Sequence, residues 1–122
     1  MADLIHDFLQ LQAQIKLYHW QTKSYARHVG SDKLSGSLSG TIDKFVEVYI
    51  GKYDRPMLKG PTAIFRLENK TDSSIIDYIN TWITYLEKTL PSMINKNDTD
   101  LLNIRDEMLG DLNQTKYLFT LS

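Results

Sequence analysis

The sequence predicts an all-α protein, a bundle of four amphipathic helices with one long connection between the second and the third. Apolar residues recur at steps of three and four through four stretches of about 20 residues, the period of a helix with one buried face. Between the second and third stretches, residues 55–71 contain two prolines and a glycine and show no sustained period. The chain of 122 residues is long enough for one core, so residues 1–122 are expected to form one domain.

The first two helices are predicted to be joined by a tight turn. The first helix covers about residues 3–26, and residues 29–32 then supply a glycine and N-cap candidates such as Asp32. These features predict a turn there, from which the second helix starts. The second helix continues to about Tyr53, because the residue before Pro56 is disfavoured in the α conformation.

The second half of the chain predicts a crossover followed by two more helices. One short helical turn is expected within the crossover, at residues 63–67. Asp72 or Ser73 caps the third helix, Pro91 closes it, and the fourth helix opens near Asp98. Short turns within each helix pair and one long crossover between the pairs are the connectivity of a ferritin-like four-helix bundle. That is the predicted fold class.

Composition excludes several classes of function. There is no cysteine, so any metal must be held by His, Asp and Glu. The net charge is −1, the basic residues are scattered, and neither end carries a lysine-rich tail, which argues against DNA binding. No apolar run approaches the length of about 20 residues that spans a bilayer, and the start lacks a basic leader. The expectation is a soluble, unprocessed, non-secreted cytoplasmic protein.

The second helix carries an unusual outward stripe. With Leu38 at the centre of the buried face, Asp43 and Glu47 fall about 140° and 180° away, together with Gly36 and Gly40. A solvated helix face is one interpretation of the two acids. Glycine inside a helix costs about 1 kcal/mol, however, and a closely packed second helix would explain both glycines. The acids would then find either Lys or Arg partners or a cation.

Three histidines and two neighbours complete the candidates. His19 falls at the border of the apolar stripe, where a hydrogen-bonded packing role competes with metal ligation. Trp20 points further from the core, which suggests burial in an interface. Taken by itself, His28 is predicted to be a solvated residue of the turn, and Asp32 is most simply an N-cap. His6, next to an aspartate near the chain start, is treated as a surface residue.

A family resemblance joins these residues. His28, Asp32, Asp43 and Glu47, at offsets of four, fifteen and nineteen from the first, resemble the ferroxidase pattern of the Dps-type mini-ferritins, the DNA-protection proteins of starved bacteria. His19-Trp20 resembles the His-Trp pair that opens the same motif. In that family two histidines of one subunit face an aspartate and a glutamate of the two-fold partner. The resemblance covers about residues 10–53.

The resemblance implies a homo-oligomer, associated through the first two helices, that binds and oxidises non-haem iron as a ferroxidase. It implies that His19 holds one iron, that Asp43 and Glu47 supply charge favouring iron(III), and that His28 and Asp32 hold a second iron. The segment from SYARH to VEVYIGKY is also similar to ferritin-like proteins of large DNA viruses and phages. That similarity adds the virion and the host cytoplasm to the expected locations.

Two other classes of function stay open. The nine residues from His19 to His28 are three fewer than in the mini-ferritins, which favours a non-catalytic ferritin-like structural or virion-associated interaction protein. A di-iron oxygenase ranks third, because the chain contains no Glu-x-x-His pair of the kind that builds an intrasubunit di-iron site.

Overall fold

In the computed structural model, residues 2–58 and 64–121 are described, and they contain four main helices and no strand. These helices are α1 (Ala2–Gln21), α2 (Tyr25–Lys52), α3 (Ser74–Thr84) and α4 (Thr99–Leu118). The predicted all-α class with four helices is confirmed for this part of the chain. Within the same residues, no helix is both long and apolar enough to cross a membrane.

The turn between α1 and α2 lies earlier than predicted. The helices are separated by residues 22–24, and Ser24 caps α2 by accepting a hydrogen bond from the backbone N–H of Arg27 at 3.2 Å. Residues 29–32 are helical, so the turn predicted there is wrong, as is the N-cap role of Asp32. Gly30 is instead buried, and a Cβ on it would lie 3.2 Å from Cε1 of Phe119. The glycine allows close packing rather than a turn.

The third helical segment ends irregularly. After α3 the chain continues into a π-helical turn, Tyr85–Thr89, and a 3₁₀ turn, Leu90–Met93, which contains Pro91. The guanidinium of Arg105 donates to the backbone oxygen of Leu86 at 3.0 Å, so it satisfies a carbonyl in this turn. Residues 64–67 are not helical, so the short turn predicted at residues 63–67 is wrong for these four; Ala63 lies outside the described residues.

Asp98 precedes α4, as predicted, and connects it to the end of α2. The buried Asp98 carboxylate accepts hydrogen bonds from the hydroxyl of Tyr53 and from the ammonium of Lys52, the latter at 2.9 Å. The Tyr53 hydroxyl, followed by Lys52, holds the pKa of Asp98 below its usual range. This contact joins the C-terminal end of α2 to the N-terminal end of α4.

The core lies between the apolar stripes of the helices. α2 packs against both α1 and α4, and α3 packs against α4. Phe8 of α1 contacts Phe45 of α2 edge-on at 5.5 Å and stacks on Trp82 of α3 at 5.9 Å, measured between ring centroids. Burying an apolar side chain contributes about 1.5–3 kcal/mol. This packing leaves one side of the α1–α2 pair exposed. The candidate residues lie on that side and at the end of the bundle where α1 ends and α2 begins.

Candidate functional site

His19 in the last turn of α1 and His28 in the first turn of α2 lie side by side. Their rings are stacked, with centroids 3.9 Å apart and planes inclined by 17°. Nδ1 of His19 is 2.8 Å from the backbone oxygen of His28, and Nδ1 of His28 is 2.9 Å from the backbone oxygen of His19. Each residue therefore holds the other through a reciprocal pair of hydrogen bonds.

These bonds determine which nitrogen of each ring carries the proton in the neutral state. A carbonyl oxygen only accepts, so Nδ1 of both His19 and His28 must be the donor. Nε2 of each ring then keeps its lone pair, the form in which a neutral imidazole binds a metal. Nε2 of His19 is 3.9 Å from Oδ1 of Asp32, whose side chain is 66% exposed. The pair thus offers two nitrogen donors, one of them close to a carboxylate.

Ser31, which lies in the stretch where the sequence predicts a turn, supports this arrangement. Its buried hydroxyl donates to the backbone oxygen of His28 at 3.1 Å and lies 3.1 Å from Nδ1 of His19. A serine three residues after His28 on a helix reaches back to that carbonyl, and this spacing is the signal that could have identified it. The nine-residue separation of the histidines is accommodated because α2 begins at Tyr25 and includes His28 in its first turn.

A second polar group stabilises the same end of the bundle and was also missed. The guanidinium of Arg27 donates to the backbone oxygen of Asp72 at 2.6 Å and to the hydroxyl of Tyr18 at 3.1 Å. Tyr18 in turn donates to the Asp72 carboxylate at 2.6 Å and thereby holds the pKa of that carboxyl below its usual range. These contacts connect the end of α1, the start of α2 and the approach to α3.

Asp43 and Glu47 are exposed on α2, as the helical wheel predicts. They lie one helical turn apart, and the Asp43 side chain, through hydrogen bonding and its like charge, raises the pKa of Glu47. Eleven residues of helix, about 16 Å, separate Asp32 from Asp43. One chain therefore does not bring the histidines and this acid pair together. Among the described residues, no three His, Asp or Glu side chains form a group that could hold a metal ion.

An open groove runs between α1 and α2 beside the acid pair. A cavity of about 410 Å³ lies between Leu9 of α1 and Ser39, Gly40 and Asp43 of α2. Apart from the adjoining backbone of α2, no atom of the described residues lies within 4 Å of a Cβ built on Gly36 or Gly40. At the end of the bundle near the histidines, Trp20 and Tyr25 are 70% and 80% exposed. This side of the molecule has a shallow surface of small residues with large aromatic groups at one end.

Comparisons with known proteins place the chain in a family. Residues 19–119 match the profile of DUF5856, described as a family of unknown function. The chain belongs to DUF5856. The matched region includes the histidine pair, the acid pair and all of α2, α3 and α4, so the family covers the candidate site as well as most of the fold.

A phage protein is related to this DUF5856 chain. It is described as an uncharacterized 14.6 kDa protein in the mobD-ri intergenic region of Enterobacteria phage T4, and it is 32% identical over 110 residues, 90% of this chain and 80% of that protein. The expected kinship with phage proteins is supported by this relative, whereas kinship with ferritins stays a prediction. No solved structure matches the chain.

Proposed function

We propose that this DUF5856 protein is a ferritin-like bundle that binds iron(II) between two subunits and oxidises it, as a mini-ferritin does. His19, His28 and Asp32 of one subunit and Asp43 and Glu47 of its two-fold partner are the proposed ligands. Iron is the substrate; each iron(II) gives one electron to an oxidant such as dioxygen and becomes iron(III). Iron(II) accepts both imidazole nitrogen and carboxylate oxygen, so the donor set fits the ion.

The histidine pair is the observation that carries the proposal. Both imidazoles are oriented by hydrogen bonds through Nδ1, and Nε2 of His19 lies 3.9 Å from the exposed Asp32 carboxylate. Metal-binding histidines usually donate the second ring nitrogen to a carbonyl or carboxylate, which fixes the ring and the tautomer. The backbone carbonyls of His19 and His28 supply that support to each other. Because ligation needs a neutral imidazole, acid should release the iron.

A two-fold contact on the glycines of α2 supplies the acids. If two α2 helices cross antiparallel midway between Gly36 and Gly40, positions equally distant from Leu38 face each other. Glu47 then lies opposite Val29, next to His28, and Asp43 lies opposite Lys33, next to Asp32. The absence of any described atom within 4 Å of a Cβ at either glycine leaves room for this approach.

The electrostatics of the acid pair support a cation at the same place. Asp43 raises the pKa of Glu47 through hydrogen bonding and its like charge, so the ionised form of Glu47 is disfavoured beside Asp43 in the isolated chain. A metal ion between them would reverse that effect, because it favours both ionised forms.

Anaerobic titration with iron(II), followed by addition of oxidant, tests the proposal. The unmodified protein should bind iron stoichiometrically and oxidise it, whereas Asp43→Asn/Glu47→Gln should weaken binding at least about tenfold while retaining its helicity. Glu107→Gln/Asp111→Asn on α4 is the matched control, since it removes a pair of acids with the same spacing on another helix. Iron binding that is unchanged in the α2 variant would contradict the proposed site.

A structural or interaction protein without catalysis is the second candidate. The exposed aromatic residues Trp20 and Tyr25, 70% and 80% accessible, favour it because large exposed aromatic groups commonly mark protein contacts. This candidate predicts neither stoichiometric binding nor oxidation of iron, so the same titration separates the two.

A further inference from the structure

The crossover between α2 and α3 is held along α1 by a row of polar side chains. The His6 ring contacts the backbone oxygen of Ile64 through Nε2. The Gln10 side-chain oxygen accepts from the N–H of Arg66 at 2.8 Å. Gln14 makes two bonds to Glu68, accepting from its N–H at 2.9 Å and donating to its C=O at 2.8 Å. The side-chain amide of Gln14 thus makes the two hydrogen bonds with Glu68 that the backbone of a neighbouring strand would make.

The spacing of these bonds shows that the crossover is extended here. The α1 residues are four apart, a rise of about 6 Å, and the crossover residues are two apart, about 6.6 Å in an extended chain. The two repeats match, so the backbone groups of Ile64, Arg66 and Glu68 face α1. One edge of this extended segment is therefore occupied by helix side chains.

The opposite edge of the same segment carries backbone groups that pair with no other described residue. In an extended chain the backbone groups of successive residues point to opposite sides, so those of Phe65, Leu67 and Asn69 point away from α1. None of these groups forms a hydrogen bond with another residue that the structure describes. Phe65 and Leu67 are also 47% and 44% exposed. An exposed strand edge with apolar residues is a template for another strand.

We propose that this edge pairs with the same edge of a second copy of the chain, antiparallel and centred on Leu67. Leu67 is the middle of the extended stretch 64–70, so this register uses the whole stretch. Phe65 then exchanges hydrogen bonds with the partner's Asn69, and Arg66 faces the partner's Glu68. Two opposite-charge pairs form by symmetry, whereas a parallel in-register pairing would place arginine against arginine.

The charged groups are available for this contact. The Glu68 side chain is 71% exposed, although Lys70 lies 3.0 Å from its carboxylate. Arg66 is exposed and forms no ion pair with any residue in the described ranges. The contact lies on the crossover and uses none of the proposed iron ligands, so the two proposals can fail independently.

Cysteine cross-linking tests the register, because the chain has no cysteine of its own. In a hydrogen-bonded antiparallel pair the Cα atoms are about 5.5 Å apart, which suits a disulfide. Leu67→Cys should therefore form a dimer under mild oxidation. Phe65→Cys and Asn69→Cys alone should not, since identical positions would be offset by about 13 Å along the strands. A mixture of these two variants should form the mixed disulfide.

Charge reversal provides a second measurement on the folded protein. Arg66→Glu in the Leu67→Cys protein should slow cross-linking at least tenfold, and adding Glu68→Arg should restore the rate. Circular dichroism should show that each variant keeps its helicity, so that folded chains are compared. Equal cross-linking at positions 65, 67 and 69, no cross-linking at 67, or no effect of charge reversal would each overturn the proposal.

Discussion

Gly30 shows how one residue determines the distance between two helices. It is buried inside α2, where a Cβ would come within 3.2 Å of the Phe119 ring and 3.9 Å of the Leu118 Cβ. The ring of Phe119 also lies against Tyr18, at 5.8 Å between centroids, and below the guanidinium of Arg27. Any larger residue at position 30 must therefore displace a ring that is already in contact on other sides.

We expect Gly30→Val to lower the free energy of unfolding by about 1–3 kcal/mol, since overpacking a filled core forces neighbouring side chains to move. Gly110→Ala on α4 is the control, because no residue in the described ranges packs within 4 Å of a Cβ there. It should raise stability by about 0.5–1 kcal/mol through helix propensity. Denaturant unfolding followed by circular dichroism measures both changes. A Gly30→Val protein as stable as the parent would contradict the close contact.

His6 is the residue whose charge should respond to pH. Its Nε2 contacts the backbone oxygen of Ile64 and its Nδ1 lies 3.2 Å from the Asp7 carboxylate, so both ring nitrogens face acceptors. The hydrogen bond to Ile64, followed by that to Asp7, raises the pKa of His6. Protonation supplies the second donor that these contacts require.

Because the pKa of His6 is raised in the folded protein, its contribution to stability is complete below the ordinary histidine pKa. That contribution is lost as the pH rises through the raised folded value. A proton NMR titration of the His6 ring should show this elevated pKa. The stability difference between the parent and His6→Gln should also shrink as the pH rises through the same range. An unshifted titration would show that the contact with Ile64 does not form.

At the scale of elements, the crossover is held in place by hydrogen bonds from side chains of α1. Residues 64–71 belong to no helix, and their placement along α1 rests on hydrogen bonds from glutamine side chains. Gln14 is buried, unlike most glutamines, because its amide completes the backbone pairing of Glu68. Removing that amide leaves a donor and an acceptor without partners.

Gln14→Leu should therefore cost about 1–3 kcal/mol and speed amide exchange in the crossover, most of all at Glu68. Gln114→Leu on the exposed side of α4 is the control and should leave exchange at Glu68 unchanged. Hydrogen exchange followed by NMR separates a local from a global effect. Uniform acceleration throughout the bundle would indicate that Gln14 supports the core rather than the crossover.

For the whole molecule, substituting the glycines of α2 should have different effects on an isolated bundle and on an assembled one. Gly36 and Gly40 are exposed, and a methyl group added to either would have no described residue packed within 4 Å of it. Alanine at either position should therefore stabilise an isolated chain by about 0.5–1 kcal/mol. If a second α2 packs on this stripe, the same methyl groups must separate the two backbones and weaken association.

We expect Gly36→Ala/Gly40→Ala to raise the stability of the separated chain and to weaken its self-association. Sedimentation over a range of concentrations measures the association, with Gly110→Ala as a control that stabilises a helix elsewhere. Both variants should also carry Arg66→Glu, so that pairing through the crossover does not contribute. Unchanged association in the α2 variant would exclude a contact centred on these glycines.

Much of this architecture could be predicted from local sequence. Apolar residues at steps of three and four identify the buried faces, and those that recur at these steps in α1 are all buried: Leu4, Phe8, Leu11, Ile15 and Tyr18. The same period places Asp43 and Glu47 on the outer surface, where the structure has them. Helix periodicity is a property of neighbouring residues, so it can be predicted without knowledge of the tertiary contacts.

The tertiary structure decided the features that depend on distant residues. Glycine at position 30 suggests a turn, but the structure places it inside α2, where the ring of Phe119 packs so close that a Cβ would lie 3.2 Å from it. The stacking of His19 on His28 likewise requires the turn at residues 22–24. A local pattern records which conformations a residue tolerates, whereas the choice among them follows from which distant surfaces pack together.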